Sequence, residues 1–418
     1  MGARGYHLPA PSPASDVDAQ GRMPHRDAVS QVILQPGRDR SVRRRHPWLL
    51  SGSVARVEGD PAAGELLQVL SAEGEILGHG HYSPRSEIAV RLLCFGTEAP
   101  GEEHLRGAIE KAVERRRSDP LLQGSEALRL VNAEGDDLPG LVVDRYREVA
   151  VARFSTAGMI ARREAISAIL REVSGAESGY ERADANAVRR EGLPVREGPL
   201  WGDPPPPTVS IREGRRRYQV DVVSGQKTGF YLDQRDSRDL VESLAAGRRV
   251  LDLFAYTGGF AVAAALGGAS SVTLVESSSA ALALARQNLA SSAPGFEAEI
   301  VLGDAFRFLR EEGGLFDLLI LDPPPFARRR RDVERACRAH KDLILRALRR
   351  ASPGALLLAF ACSHHVGPDL FRKVTFGAAL EARRPVQVLR VLQAPVDHPV
   401  SIHHPEGAYL NGLLLRTV

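Results

Sequence analysis

The stretch Val250 to Leu266, "VLDLFAYTGGFAVAAAL", decides how this chain folds. An apolar run short enough for a strand, "RRVLDLF", leads into the loop "AYTGG", and an alanine-rich helical segment, "FAVAAAL", follows. Gly258 and Gly259 let the backbone come close to a ligand where that helix begins. The next strand, "SVTLVE", ends in Glu276, 24 residues after Asp252. An acidic residue at that place can accept both hydroxyls of a ribose. The loop lacks the G-x-G-x-x-G spacing that a pyrophosphate needs, and no Gly-Lys-Ser/Thr follows it. An adenosine ligand without phosphates fits this pattern, and S-adenosylmethionine is the candidate.

Outward from this unit, strands keep alternating with helices. "AEIVLGD", "FDLLILD" and "ALLLAFAC" read as strands, separated by the helical "AFRFLREE" and "VERACRAHKDLILRALRR". The helical "DLFRKVTFGAALEA" and the strands "VQVLRVL" and "AYLNGLLLRTV" finish the chain. Continuous apolar strands between helices imply a parallel sheet covered on both faces. Such sheets bind ligands at the carboxyl ends of their strands. Four acidic residues stand there. Asp252 suits the ammonium of a methionine moiety, Glu276 the ribose, and Asp304 the adenine amino group, while Asp322 opens "DPPPF". Each alone reads equally as a helix cap, but four in consecutive β-α units make capping an insufficient account.

The remainder divides at two composition breaks, "GTEAPGE" near residues 96–102 and the stiff run Gly202 to Pro207. Residues 1–29 are rich in Pro, Ala, Ser and Asp and are expected to be disordered. Residues 30–98 read as short strands between Gly, Asp and Pro turns, a small β-barrel. Residues 99–203 mix a charged helix, strands around Gly/Asp turns and a second helix, a central α+β domain. Residues 204–418 carry the α/β sheet. No apolar run suits a secretory signal or a membrane span, so a soluble cytoplasmic protein is expected. The chain has 418 residues, a net charge of +3 and three scattered cysteines, Cys94, Cys337 and Cys362. That spacing argues against a disulfide framework and a four-cysteine zinc site. A metal held by Cys362, His364 and His365 is disfavoured because adjacent ligands rarely converge on one tetrahedral ion. No metal is expected.

Several segments together resemble one family. "VLDLFAYTGGFAVAAALGGASSVTLVESS" and "LDPPPFA" are similar to the Rossmann-like, class I S-adenosylmethionine methyltransferases. "VVSGQKTGFYLDQRDSR", "RHPWLLSGSV", "DDLPGLVVDRY", "CSHHV" and "DHPV…PEGAYLNG" resemble the PUA-domain enzymes that make 5-methylcytosine in bacterial large-subunit (23S) ribosomal RNA. The likeness spans roughly residues 30–418. It implies a PUA-like barrel at the N-terminus, a Rossmann-like sheet at the C-terminus and S-adenosylmethionine as cofactor. It also implies a ribosomal RNA substrate and Phe230 under the cofactor, with Lys227 and Arg235 nearby. A homodimer is compatible with the resemblance, though no residue requires it.

The chemistry explains why a cysteine stands in "FACSHH". Cytosine C5 is a poor nucleophile, and a thiolate adding to C6 turns the ring into an enamine that can take a methyl group. The resemblance assigns Cys362 as that nucleophile and Asp322 as the residue polarising the base. The proton acceptor stays open among His364, His365 and water. "DPPPF" also resembles the tetrad of enzymes that methylate exocyclic amines, such as N2 of guanosine, where no cysteine is needed. A third reading is an inactive RNA-binding protein. Arginine clusters supply candidate RNA contacts: Arg43, Arg44 and Arg45 beside Trp48, and Arg328, Arg329, Arg330 and Arg331 after "DPPPF". Further clusters occur at Arg115–Arg117 and Arg215–Arg217. A charge run is more often a solvated face.

Overall fold

The computed structural model describes residues 29–418 except Glu102, Glu312 and Arg328, so the expected disordered tail, Val29 apart, lies outside the described residues. Strands β1 (Gln31–Leu34), β2 (Trp48–Leu50), β3 (Val54–Glu58), β4 (Leu66–Leu70), β5 (Ile76–Tyr82) and β6 (Ile88–Phe95) form one sheet. Their order is β2-β6-β5-β4-β1-β3, with β1 and β4 parallel. The sheet is unpaired between β2 and β3, and its core is Val32, Leu49, Leu67, Val69 and Val90. A short helix α1 (Arg40–Arg43) precedes β2. Strands β2 and β3 escape detection in the sequence because "WLL" and "VARVE" are too short or too polar to show alternation.

Helix α2 (Glu103–Ser118) buries Ile109, Ala112, Val113 and Arg116, the spacing of one helical face. It lies on a five-stranded sheet of β7 (Ala127–Asn132), β8 (Leu141–Tyr146), β9 (Val149–Phe154), β10 (Ser178–Glu181) and β11 (Gly198–Trp201), ordered β11-β10-β9-β8-β7. Helices α3 (Ala157–Ala161), α4 (Arg163–Val173) and α5 (Ala185–Arg190) fill the connections. A hairpin of β12 (Val209–Glu213) and β13 (Arg216–Val220) follows the proline run. Sequence periodicity does not separate this hairpin from the linker.

The third unit is a seven-stranded sheet. Its strands are β14 (Arg249–Leu253), β15 (Ser271–Glu276), β16 (Glu299–Leu302), β17 (Phe316–Leu321), β18 (Ala351–Cys362), β19 (Val386–Leu392) and β20 (Leu410–Thr417). The order is β16-β15-β14-β17-β18-β20-β19, and the order reverses between β14 and β17. Helices α6 (Arg235–Leu244), α7 (Gly259–Leu266), α8 (Ser279–Ser292), α9 (Ala305–Arg310), α10 (Val333–Arg349) and α11 (Pro368–Ala382) connect and cover it. Two apolar clusters, one on each face, flank the parallel strands. The expected all-parallel, doubly covered sheet needs correction at one edge. Strand β20 runs antiparallel to both β18 and β19, and β19 is exposed along most of its length. An edge strand has a neighbour on one side only, and helix α11 leaves Val388, Leu389 and Val391 uncovered.

Candidate active site

The carboxyl ends of β14, β15, β17 and β18 meet at the reversal point, where open α/β sheets bind ligands. After β14 the chain turns sharply. Phe254 and Tyr256 are left-handed at φ 61° and 48°, and Gly258 follows at φ 77°. A side chain on Gly258 would be strained by that angle and would stand 3.1 Å from Ala285 Cβ. Two acids brace the turn. Tyr256 N donates to Glu276 Oε2 at 2.9 Å, and Ser278 N to Glu276 Oε1 at 2.8 Å. Ala261 N donates to Asp252 Oδ2 at 3.1 Å.

Asp252 is fully buried, and its Oδ1 has no hydrogen-bond partner. Burial and then the nearby charges of Asp322 and Glu276 push its carboxyl well above the usual range. Asp322 is pushed up to about 6, first by burial and then by Asp233. These strand ends therefore crowd negative charge with too little positive charge to balance it. A donor set of this kind fits a cationic ligand, and S-adenosylmethionine carries both a sulfonium and an ammonium.

Strands β17 and β18 are adjacent and parallel, so Asp322 and Cys362 emerge together. Cys362 Sγ donates to Asp322 Oδ1 at 3.4 Å, and Gln234 Nε2 donates to Asp322 Oδ2 at 3.1 Å. Burial and the charge of Asp322 push the Cys362 thiol well up, while Lys227 opposes them. Lys227 pairs with Asp233, and Tyr409 Oη donates to the same carboxylate at 2.6 Å. Burial alone would raise Asp233; Lys227 and His398 hold it well below the ordinary range.

The structure separates the other sequence candidates. Gly259 opens helix α7 beside Asp252. Phe230 is a core residue, 4.8 Å from the Tyr218 ring with the Arg238 guanidinium 4.6 Å above it, and it lies directly beneath Gly259. Asp304 is exposed at the end of edge strand β16 and caps α9 through Arg307 N at 2.8 Å. The His364 and His365 rings lie 3.8 Å apart, tilted by 45°, and a cleft of about 720 Å³ is lined by His364, His398, Tyr409 and Asn411. Among the described residues no group of three or more His, Cys, Asp and Glu side chains converges as metal ligands do.

Trp48 is half-buried at a joint between the units. Its Nε1 donates to Glu134 at 2.8 Å, and its ring lies 4.4 Å from His404. Arg43 pairs with Asp39 and Glu75, Arg44 is exposed, and Arg45 lies over Phe95. Arg329, Arg330 and Arg331 are exposed beside the site, and Arg328 lies outside the described residues. Two further arginine runs are not solvated faces throughout. Arg116 is buried against Asp136, and Arg216 is buried against Glu213, Asp239 and Glu242. Sequence reasoning misses Asp233, Gln234 and Tyr409 as site residues. The polar spacing of "FYLDQR" is the only local signal for the first two, and it names no partner.

The comparisons agree with this architecture. Residues 198–415 match the S-adenosylmethionine-dependent methyltransferase family model, and residues 32–95 match the PUA-like domain. The ribosomal RNA large subunit methyltransferase I of Serratia proteamaculans is 39% identical over 393 residues, covering 93% of this chain and 99% of that protein. The protein of that name from Klebsiella pneumoniae is 38% identical over the same length. A solved structure from Streptococcus mutans is 22% identical with a TM-score of 0.79, over 92% of this chain and 99% of that one. Another, solved with SAH, is 23% identical with a TM-score of 0.80 and the same coverage. With the family model spanning the strand-end site and the relatives spanning nearly the whole chain, the protein belongs to the S-adenosylmethionine-dependent methyltransferases, in the family of the ribosomal RNA large subunit methyltransferase I proteins.

Proposed function

We propose that this enzyme methylates C5 of a cytidine in large-subunit ribosomal RNA through a covalent adduct with Cys362. The observation that carries the reading is the contact of Cys362 Sγ with Asp322 Oδ1 at the cofactor edge of the sheet. S-adenosylmethionine, when bound, supplies an electrophilic methyl group. Asp252 would hold its ammonium, Glu276 its ribose and Asp304 its adenine amino group, over the turn at Gly258 and Gly259 with Phe230 beneath.

Asp322 takes the thiol proton, and the Cys362 thiolate adds to C6 of the cytosine. As the S–C6 bond forms, the ring electrons shift to N3, which takes the proton from Asp322. C5 is then the enamine carbon that accepts the methyl group. Loss of the C5 proton to a base and the N3 proton to Asp322 restores the ring, and the C6–S bond breaks to release Cys362. His364 and His365 follow Cys362 in the chain, and one of them, or a water, serves as that base. General base assistance of this kind is worth about 10²–10⁴ in rate.

The amine-methylating alternative requires the aromatic residue of "DPPPF" to stack on the base. Phe326 instead packs 4.7 Å from His340 and 6.0 Å from Phe306, against helix α10. An inactive RNA-binding protein would have no use for an aligned cysteine and carboxylate. The name carried by the relatives and the PUA-like domain support ribosomal RNA as substrate, and such a substrate supports a cytoplasmic location. No described helix is long and apolar enough to cross a membrane. The homodimer is supported by the free edge of β19 with its apolar Val388, Leu389 and Val391, a surface that strand pairing about a two-fold axis would cover. Sedimentation of wild type and Leu389→Glu tests it.

The deciding experiment gives the enzyme unmodified large-subunit RNA and methyl-labelled S-adenosylmethionine, then digests the RNA to nucleosides. Labelled 5-methylcytidine, lost in Cys362→Ala, is expected. A label on an exocyclic amine refutes the reading.

A further inference from the structure

The adduct steps assign nothing to Lys227, a half-buried cation paired with Asp233. Its backbone is left-handed at φ 53°, a conformation that side-chain-bearing residues rarely adopt. Such strain persists only where surrounding contacts over-determine it. Here they do. Thr228 Oγ1 donates to Asp144 Oδ2 at 2.5 Å and bonds Tyr146 Oη at 2.8 Å. Phe230 N donates to Tyr146 Oη at 3.2 Å, and Arg182 donates to Gly225 O at 2.8 Å. All three anchors belong to the central five-stranded sheet region. Gln226 N also donates to Tyr256 Oη at 2.8 Å, in the glycine-turn loop. The segment around Lys227 is thus clamped between the central unit and the methyltransferase sheet.

The clamp aims the side chain. Lys227 Nζ lies over the Tyr231 ring at 4.3 Å and near the Tyr409 ring at 5.6 Å, paired with Asp233. Asp233 is followed by Gln234, which donates to Asp322, which accepts from Cys362. Tyr409 precedes Leu410, whose register partner is Cys362. The ammonium is therefore tied to the reacting pair from two sides.

We propose that Lys227 is the counter-charge of this site, stabilising the Cys362 thiolate and the electron density that shifts toward N3 of the pyrimidine before the Asp322 proton arrives. The second half rests on the cytosine reading; the first stands on the protein alone. The groups facing Cys362 are Asp322 after β17, Asp233 and Tyr231 from the segment before α6, Tyr409 just before β20, and Lys227, while His364 and His365 follow Cys362 in the chain. Among the charges acting on the thiol, Lys227 is the one that favours its ionised form, against burial, Asp322 and Asp233.

The test replaces Cys94 and Cys337 with serine, leaving Cys362 as the sole thiol, and measures its alkylation by iodoacetamide against pH without RNA or cofactor. Lys227→Met should slow alkylation at pH 8 about tenfold, which moves the profile about one pH unit toward alkali, and Lys227→Arg should restore the rate to within about threefold. Lys227→Gln, which keeps a donor toward Asp233, replaces Lys227→Met if that variant does not fold. A profile unmoved by loss of the charge overturns the proposal. Nucleoside analysis with the same proteins keeps the two readings apart. An unmoved profile with 5-methylcytidine as product refutes the counter-charge alone. A shifted profile with another product upholds the effect on the thiol and refutes the transfer of charge to cytosine.

Discussion

If Asp322 accepts the thiol proton, activity must follow its ionisation. Its carboxyl is pushed up to about 6, by burial first and by Asp233 second. The working form is the carboxylate, so activity is present above that value and is lost as the pH falls through it. A group with a pKa of about 6 is roughly nine-tenths ionised at pH 7 and one-tenth at pH 5, so kcat/KM should fall about tenfold across that interval. An ordinary aspartate near 3.9 would lose less than about 10% of its ionised form over the same range. The assay is methyl transfer from labelled S-adenosylmethionine to unmodified large-subunit RNA at constant ionic strength, read as kcat/KM for the RNA with the cofactor saturating at every pH, so that ionisation of Asp252 does not enter the profile. Melting curves at pH 5 verify that the protein is folded. Asp322→Asn should lower kcat by about 10²–10⁴ and abolish the acid limb, since the amide neither accepts the proton nor titrates. An acid limb centred near 4, or one still at 6 in Asp322→Asn, refutes the role of Asp322.

Other outcomes follow from the charges around the site. Asp252 is raised well above the usual range in the protein alone, and a cationic cofactor prefers its carboxylate. Cofactor affinity measured calorimetrically should therefore weaken as pH falls from 8 to 5, with proton release on binding, and Asp252→Asn should lose tenfold or more in affinity, about 1.4 kcal/mol, together with the pH dependence. Glu213 is buried under Arg238, Arg216 and Arg235; burial alone would raise it, but these guanidinium groups hold it at about 2. Glu213→Gln strands buried positive charge and should cost about 3–5 kcal/mol in a denaturant titration. Because the native pKa is depressed, the Glu213 contribution is complete above about 4.5 and fades toward 2, so the variant's deficit should shrink with acid. Replacing Arg329, Arg330 and Arg331 with alanine should flatten the dependence of RNA affinity on log salt by about 0.7–0.9 for each phosphate that the variant no longer neutralises. An unchanged slope would mean that this basic turn does not touch the RNA.

The strands of the α/β unit, the glycine turn at Gly258 and the acids at Asp252, Glu276 and Asp322 were readable from the chain. Each is written in neighbouring residues: a run of apolar side chains, a glycine at a sharp turn, an acid where a strand stops. Cys362 was readable as the end of a strand, and its proximity to Asp322 as a consequence of two consecutive parallel strands. The partnerships were not readable. Gln234 lies 88 residues from Asp322, and Asp233 lies 176 residues from Tyr409. Pairings at that range carry no periodicity or spacing. The same limit put Phe230 in the core beneath Gly259, left Asp304 as an exposed cap, sank Arg116 and Arg216 into ion pairs, and used Trp48 to join units. It also hid the insertion of β20 between β18 and β19, which leaves β19 as an open edge. Local pattern determined which residues become strands, turns and helices. Tertiary packing alone decided which charges face one another, because burial and pairing depend on what the rest of the chain brings alongside.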